Sequence, residues 1–286
     1  MRTIQGSLAI EGNTLSEEQI TAILDGKRII ALPREIQEAT NAISAYEQLD
    51  QWKPSKEKNL LVAHKTLMLG LERDAGNYRS GGVGVMSGKK VVHMAPQADR
   101  VPKLMKELLA WLANADVHPL ISSSVFHYEF EFIHPFADGN GRMGRLWQTL
   151  ILAKWQPVFA YIPVESLVHR HQEDYYQSIR QSTAKGESTP FIEFMLAMIQ
   201  QAVSELPKNS ERQTTTQKTT QKTTQNQQAI LNFLLEHPQA SRKAVAGAIS
   251  TITENGVKYN LKVLQESGLL KRIGSARAGY WKVLMK

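Results

Sequence analysis

The 286-residue chain contains no cysteine. Disulfides and thiolate metal sites are thereby excluded; a reducing compartment fits, and the cytoplasm is the expected location. It also has no apolar run of the roughly 18–20 residues that a membrane span needs. The opening MRTIQGSLAIEGN lacks the apolar core and cleavage pattern of a secretory leader, so no membrane partner is expected. Acidic residues are scarce in one region. From Pro207 to Lys286, 4 Asp and Glu stand against 13 Lys and Arg, in a chain whose total charge is +7. Such a basic excess suits a polyanion such as nucleic acid, and equally a solvated basic surface. Residues 210–228, SERQTTTQKTTQKTTQNQQ, hold no apolar side chain. Nothing there can bury in a core, so the segment reads as a linker.

Upstream of it the patterns are mostly helical. VPKLMKELLAWLANA (101–115) places Leu104, Leu108, Leu109 and Leu112 on one stripe. AISAYEQLDQW and KNLLVAHKTLMLGL behave alike, and TPFIEFMLAMIQQAVSEL (189–206) is expected as a closing helix, with Thr189 as N-cap and Pro190 at the first position. VGVMSGKKVVHM (83–94) differs. Val83, Val85, Val91 and Val92 flank a Ser-Gly-Lys-Lys turn, which predicts a small hairpin. VFHYEFEFI (125–133) is ambiguous, because its aromatics alternate as in a strand and also fit two adjacent helical stripes.

The densest chemistry is HPFADGNGRMGR, residues 134–145. It contains a G-x-G-x-x-G, but a dinucleotide site is disfavoured on three counts. Asp138 precedes the first glycine and would repel a pyrophosphate. Two arginines exceed what that motif uses. The chain also lacks the strand–helix alternation of a doubly wound sheet. A triphosphate uses every polar residue instead. Gly139 and Gly141 let backbone amides approach an anion at a helix N-terminus. Arg142 and Arg145, three apart, can face one ligand. Asp138 can hold Mg²⁺ against phosphate oxygens, and His134 can act as general base for an incoming hydroxyl.

The string matches every defined position of His-x-Phe-x-Asp/Glu-Gly-Asn-Gly-Arg-x-x-Arg, the signature of the Fic family. The resemblance covers roughly residues 1–206 and implies a mainly α fold, a Fic-type helical core with a hairpin flap, and therefore a helix before His134. It implies transfer of AMP from ATP to a Ser, Thr or Tyr hydroxyl of a protein, the chain itself included. His134 would be the base, Phe136 the loop anchor and Asp138 the Mg²⁺ ligand. Gly139, Asn140 and Gly141 would form the anion hole, Arg142 would grip the β-phosphate and Arg145 the γ-phosphate. The hairpin would pair with the target's backbone as an added strand. DYYQSIR resembles the adenine-pocket helix, with Tyr176 as the contact ahead of Tyr175. An Asn that often occurs after these tyrosines is Thr183 or Ala184 here. Ser7-x-x-x-Glu11-Gly12-Asn13 matches the family's inhibitory motif, in which Glu11 would take Arg145 away from the γ-phosphate. The same glutamate could instead serve AMP removal.

Beyond the linker (207–227), residues 228–286 read helix–helix–helix–hairpin and resemble a winged helix-turn-helix domain. Ser241 is the expected cap of the second helix, and Val257, Leu261 and Leu264 are expected to face inward on the third, closed by Gly268. Lys258, Asn260 and Lys262 on that helix and Arg277 in the wing would contact DNA. This allows an alternative function, a DNA-binding regulator whose nucleotide site only senses ATP. The sequence specifies neither target nor oligomeric state, and a homodimer stays open.

Overall fold

The computed structural model describes every residue except 83, 88–89, 206–224, 250–251, 275–278 and 285–286. The expected flap residue Val83 and wing residue Arg277 lie outside the described residues, as does most of the expected linker. In chain order the helices are α1 (Arg2–Ile10), α2 (Glu17–Leu24), α3 (Pro33–Glu47), α4 (Glu57–Leu67), α5 (Val101–Asn114), α6 (Pro119–Ile133), α7 (Asn140–Trp155), α8 (Val164–Arg170), α9 (Gln172–Lys185), α10 (Thr189–Ser204), α11 (Gln225–Glu236), α12 (Arg242–Ala248) and α13 (Glu254–Glu266). The strands are β1 (Gly84–Ser87), β2 (Lys90–Met94), β3 (Leu270–Ile273) and β4 (Tyr280–Val283). Among the described residues no helix is long and apolar enough to cross a membrane.

The contacts divide the chain into two compact units. One holds residues 1–17 and 31–208, the other 18–30 and 209–286. Most of α2 therefore goes with the C-terminal residues, a grouping that the spacing of apolar residues does not disclose.

In the first unit α6 and α7 pack against each other at the centre. The segment 125–133 is helix, not strand. Ser122 to Ser124, Phe126 to Tyr128, Phe130, Glu131 and Ile133 are all buried, so α6 is enclosed on every side. A helix without a solvent face loses the single apolar stripe that identifies it, and strand-like alternation survives by accident. α7 is buried almost continuously from Arg142 to Leu152. Around this pair, Phe159, Ile162, Leu167, Val168, Phe191, Met195 and Ile199 extend the core through α8 and α10. α10 starts as expected at Thr189 with a proline in its first turn, but Ser188 is its N-cap, not Thr189, and makes no side-chain cap bond. On α5 the stripe is buried at Val101, Met105, Leu108 and Leu109, while Leu104 and Leu112 are half-exposed.

β1 and β2 form the expected antiparallel hairpin, pairing Gly84 with Met94 and Ser87 with Lys90. The register shifts between Val85 and Met86, as at a bulge. Val85 lies in β1, and Val91 and Val92 in β2.

The second unit packs Ile230, Leu231 and Leu234 of α11 with Val245, Ile252, Val257, Leu261, Leu264 and Leu270. Ser241 caps α12 by accepting from the Ala244 amide at 3.2 Å, and Thr253 caps α13 by accepting from Gly256. Gly268, at φ 69°, ends α13 and lets the Leu269 amide return to the Leu264 carbonyl. β3 and β4 then pair antiparallel, with Trp281 opposite Arg272, whose guanidinium lies 4.7 Å from the indole. The turn that ends α2 approaches the start of α13 closely. A Cβ on Gly26 would stand 2.8 Å from the Thr253 hydroxyl oxygen.

Candidate functional site: a glycine loop closed by a carboxylate

α6 ends at His134, which caps it in the left-handed region at φ 50° and ψ 61°. Among the described residues it is the non-glycine residue with positive φ, a conformation held only where the surroundings impose it. The chain then bends through Pro135 and Phe136 and re-enters a helix at Asn140. Phe136 is fully buried and stacks on His64 of α4, ring centroids 3.6 Å apart. Asn140 locks the loop with a reciprocal pair. Its Oδ1 accepts from the Phe136 amide and its Nδ2 donates to the Phe136 carbonyl, both at 2.9 Å. The side chain of Asn140 thus shapes the loop, and only its backbone is available to an anion. The first backbone bond of α7 runs from Met143 to Gly139. The amides of residues 140 to 142 therefore have no carbonyl within the helix, the usual condition of a first turn.

The glycines are required by close approach. Gly139 has φ 79°, and a Cβ there would lie 2.6 Å from the sulfur of Met68. A Cβ on Gly141 would stand 2.6 Å from a carboxylate oxygen of Glu11 and 3.0 Å from Arg145 Nη1. These are backbone positions that nothing larger could occupy without moving the side chains beside them.

The Glu11–Arg145 ion pair joins the N-terminal segment to the last residue of the loop motif. Arg145 is 3% exposed. Its Nη2 donates to Glu11 Oε1 at 2.6 Å and to the Ser7 carbonyl at 3.1 Å, and its Nε donates to the Ser7 hydroxyl. Burial pushes the guanidinium's pKa down, but the Glu11 carboxylate more than offsets this and the net direction is up. Glu11 caps the C-terminus of α1. The turn after it is clasped by α3: Asn13 Nδ2 donates to Glu38 Oε2 at 2.9 Å and to the Glu35 carbonyl, and Thr14 donates through both its amide and hydroxyl to Glu35 Oε1.

Arg142 is buried as well. Its Nη2 lies 3.4 Å from Asp138 Oδ1 and its Nη1 3.7 Å from Glu38 Oε1. Asp138 accepts from the Gly139 amide at 2.6 Å, and its other oxygen lies 3.8 Å from Arg34. His134 is half-buried. The structure thus pairs Ser7 and Glu11 with Arg145, and Asp138 with Arg142.

Other positions fall differently. Tyr175, expected beside Tyr176 as an adenine contact, is 2% exposed and its hydroxyl lies 3.1 Å from His127 Nε2 inside the core. Its ring is committed to packing, which leaves the half-buried Tyr176. Asn260, expected among the DNA contacts, is 2% exposed and donates to the Gly256 carbonyl at 2.8 Å. It points into its own unit because its helical position falls on the same face as Val257 and Leu264. Lys258 and Lys262 are exposed on α13.

Three residues of the site, Glu38, His64 and Arg79, carry no signal in the spacing of the chain's motifs. Glu38 links Asn13 of the N-terminal turn to Arg142. His64 accepts the Gly76 amide at Nδ1 (2.8 Å), which leaves Nε2 to donate to the Asp138 carbonyl at 3.0 Å. Arg79 gathers carbonyls at the end of α6. None belongs to a short motif, and a lone His on an apolar helix face, as at position 64, is the only trace that the sequence carries.

The donor set suits Mg²⁺ held with a nucleotide. Among the described residues no group of three His, Asp or Glu could hold a metal alone. One partly exposed carboxylate, Asp138, beside a phosphate cradle is how Mg²⁺ is commonly bound.

Comparison with known proteins agrees with this geometry. The sequence model of the Fic/DOC family matches residues 54–152, which contain the loop but neither the Ser7–Asn13 segment nor the C-terminal unit. A protein adenylyltransferase Fic of Nematostella vectensis is 29% identical over 205 residues, 67% of this chain and 45% of that protein. Protein adenylyltransferase fic-1 of Caenorhabditis elegans is 28% identical over 223 residues, 72% of this chain and 41% of that protein. The chain thus spans less than half the length of these curated relatives. The crystal structure of a Fic family protein from Desulfovibrio desulfuricans G20 is 45% identical, with a TM-score of 0.71, and the match covers 100% of this chain and 86% of that one. A match of that identity over nearly the whole of a solved relative, on a chain whose loop and helix termini build the site above, places this protein in the Fic family.

Proposed function

We propose that the chain is a protein adenylyltransferase that moves AMP from ATP to a hydroxyl side chain and is held inactive by Glu11. One observation carries the proposal. Two buried guanidiniums, Arg142 and Arg145, stand on the first turns of a helix whose N-terminal amides face the same loop as His134. That is a polyphosphate site with a base beside it. The names of the curated relatives support the same chemistry.

In this reading the amides of residues 140 and 141, with Arg142, hold the α- and β-phosphates, the Gly139 amide being taken by Asp138, and Arg145 takes the γ-phosphate once Glu11 withdraws. Tyr176 lies against the base. The hairpin lays the target's backbone across the site as an added strand. His134 removes the proton from the target hydroxyl as its oxygen bonds to the α-phosphorus and the bond to pyrophosphate breaks. Mg²⁺ held by Asp138 would neutralise phosphate charge. Orientation and charge stabilisation supply most of the acceleration, as is general for phosphoryl chemistry.

In the resting state Arg145 cannot serve two anions. Its hydrogen bonds go to Glu11 and Ser7, and a γ-phosphate would have to displace a charge-assisted bond of 2.6 Å. Glu11→Gly is expected to raise self-labelling from ATP labelled at the α-phosphate by at least tenfold, and His134→Ala in that background to abolish it. Equal labelling of parent and Glu11→Gly, with His134→Ala inactive, would remove the brake from the account while leaving the transfer. The second unit we take to be a winged helix-turn-helix that binds DNA through Lys258 and Lys262 and is joined by a linker at about residues 207–227. Its basic excess supports this.

A further inference from the structure

Arg79 lies outside the motif, between α4 and β1, and is 5% exposed. Its guanidinium has five N–H groups. Nε donates to the His134 carbonyl at 2.7 Å, Nη1 to the Gly81 carbonyl at 2.8 Å, and Nη2 to the Pro96 carbonyl at 2.6 Å and the Ile133 carbonyl at 3.3 Å. Its own amide donates to the Pro135 carbonyl at 2.9 Å. Each of these acceptors is a neutral backbone group. Burial accordingly lowers its pKa, with no opposing carboxylate.

A buried cation costs free energy unless its surroundings compensate it. Here the compensation comes from the negative end of α6, whose last carbonyls have no partner within the helix. The location of the other two acceptors is the informative part. Gly81 precedes β1 and Pro96 lies just after β2, so they are the two stalks of the hairpin. One rigid side chain therefore joins three things: the left-handed turn at His134, the incoming stalk and the outgoing stalk.

We infer that Arg79 is the positioning residue that sets the separation between the hairpin and His134. The inference rests on the proposed transfer reaction, in which the hairpin presents the acceptor and His134 deprotonates it. In the same reading the phosphates are held by α7. Loosening Arg79 should therefore misplace the acceptor without disturbing the nucleotide, and a displacement of about 1 Å is enough to cost on the order of 100-fold in rate. Lysine cannot substitute. Its ammonium is a single point with three donors, and it cannot span acceptors on opposite sides of a planar fork.

The test uses the full chain carrying Glu11→Gly, with Arg79→Lys and Arg79→Gln added singly. Three quantities are measured: the rate of self-labelling, the affinity for ATP by calorimetry, and amide hydrogen exchange in residues 81–96 and in α7. The expected result is labelling slower by at least tenfold, ATP affinity within twofold, and faster exchange in the hairpin with α7 unchanged. Unaltered labelling and exchange would overturn the inference. So would ATP affinity falling in step with labelling, or both variants failing to fold, since either would make Arg79 a general support. If the Glu11→Gly parent binds ATP but transfers nothing, the transfer reading fails. Arg79 is then judged on hairpin exchange and ATP affinity alone, where unchanged exchange overturns it.

Discussion

His64 is the residue whose chemistry is most changed by where it sits. Burial holds its pKa down at about 4, from an ordinary 6.5, and the Gly76 amide requires a lone pair on Nδ1. The ring is therefore neutral at pH 7, with its proton fixed on Nε2 towards the Asp138 carbonyl. A histidine whose pKa is lower in the fold than unfolded stabilises the fold fully above about pH 6.5, and that contribution is lost as the pH falls towards 4. The shift corresponds to on the order of 3 kcal/mol across that window. Urea midpoints between pH 7.5 and 4.5 should fall more steeply for the parent than for His64→Gln, which is less stable at pH 7.5 because it loses the stack on Phe136. Parallel curves would mean that His64 does not titrate in this way. The sequence made the loop residues visible because their order is dictated by local chemistry. It could not make His64 visible, because His64 and Asp138 meet only when α4 packs beside the loop. Asn260 errs in the opposite direction: a polar residue beside two lysines looked exposed, yet the helical face that it shares with Val257 is buried.

At the scale of elements, the proposed brake depends on how α1 is seated. α1 packs on α8 through Gly6, where an added Cβ would lie 2.5 Å from the Ser166 amide nitrogen and 2.7 Å from the Glu165 carbonyl carbon. Both are backbone atoms and cannot give way as a side-chain end would. Gly6→Ala should wedge α1 away from α8 and draw Glu11 from Arg145, at a cost of about 1–3 kcal/mol of stability. Self-labelling is expected to rise, to less than the level of Glu11→Gly, with a lowered melting temperature. A destabilised Gly6→Ala that labels no faster than the parent would show that the seating of α1 does not control Glu11. The hairpin and α10 were legible as elements because their turn residues and proline are local signals. α6 was not. Its residues are buried on all faces, so neither of the two competing periods could prevail until its neighbours were in place.

The whole molecule has two units, each with its own core. The uneven charge along the chain marks the C-terminal one as the basic partner. If it binds duplex DNA through α13, affinity should fall steeply with salt. Lys258→Ala and Lys262→Ala should each reduce the slope of log K against log salt by about one, as expected for loss of a phosphate contact. Unchanged slopes in both variants would exclude α13 as the contact surface, and absence of binding at low salt would exclude DNA as the partner of the unit. Self-labelling by the Glu11→Gly form should be unaffected by either substitution.

By itself the sequence determined the residue types of the loop from His134 to Arg145, the hairpin and the basic C-terminal unit, while the pairing of Glu11 with Arg145 was an expectation from the family resemblance. These depend on residue types at short, fixed spacings or on composition, and both survive without a fold. Only the tertiary structure decided that Asn140 locks the loop, that Arg142 is shared by Asp138 and Glu38, that residues 18–30 group with the C-terminal residues, and that Arg79 ties the His134 turn to both stalks of the hairpin. Each of these joins residues whose proximity is created by packing, and packing is not a property of any one stretch of chain.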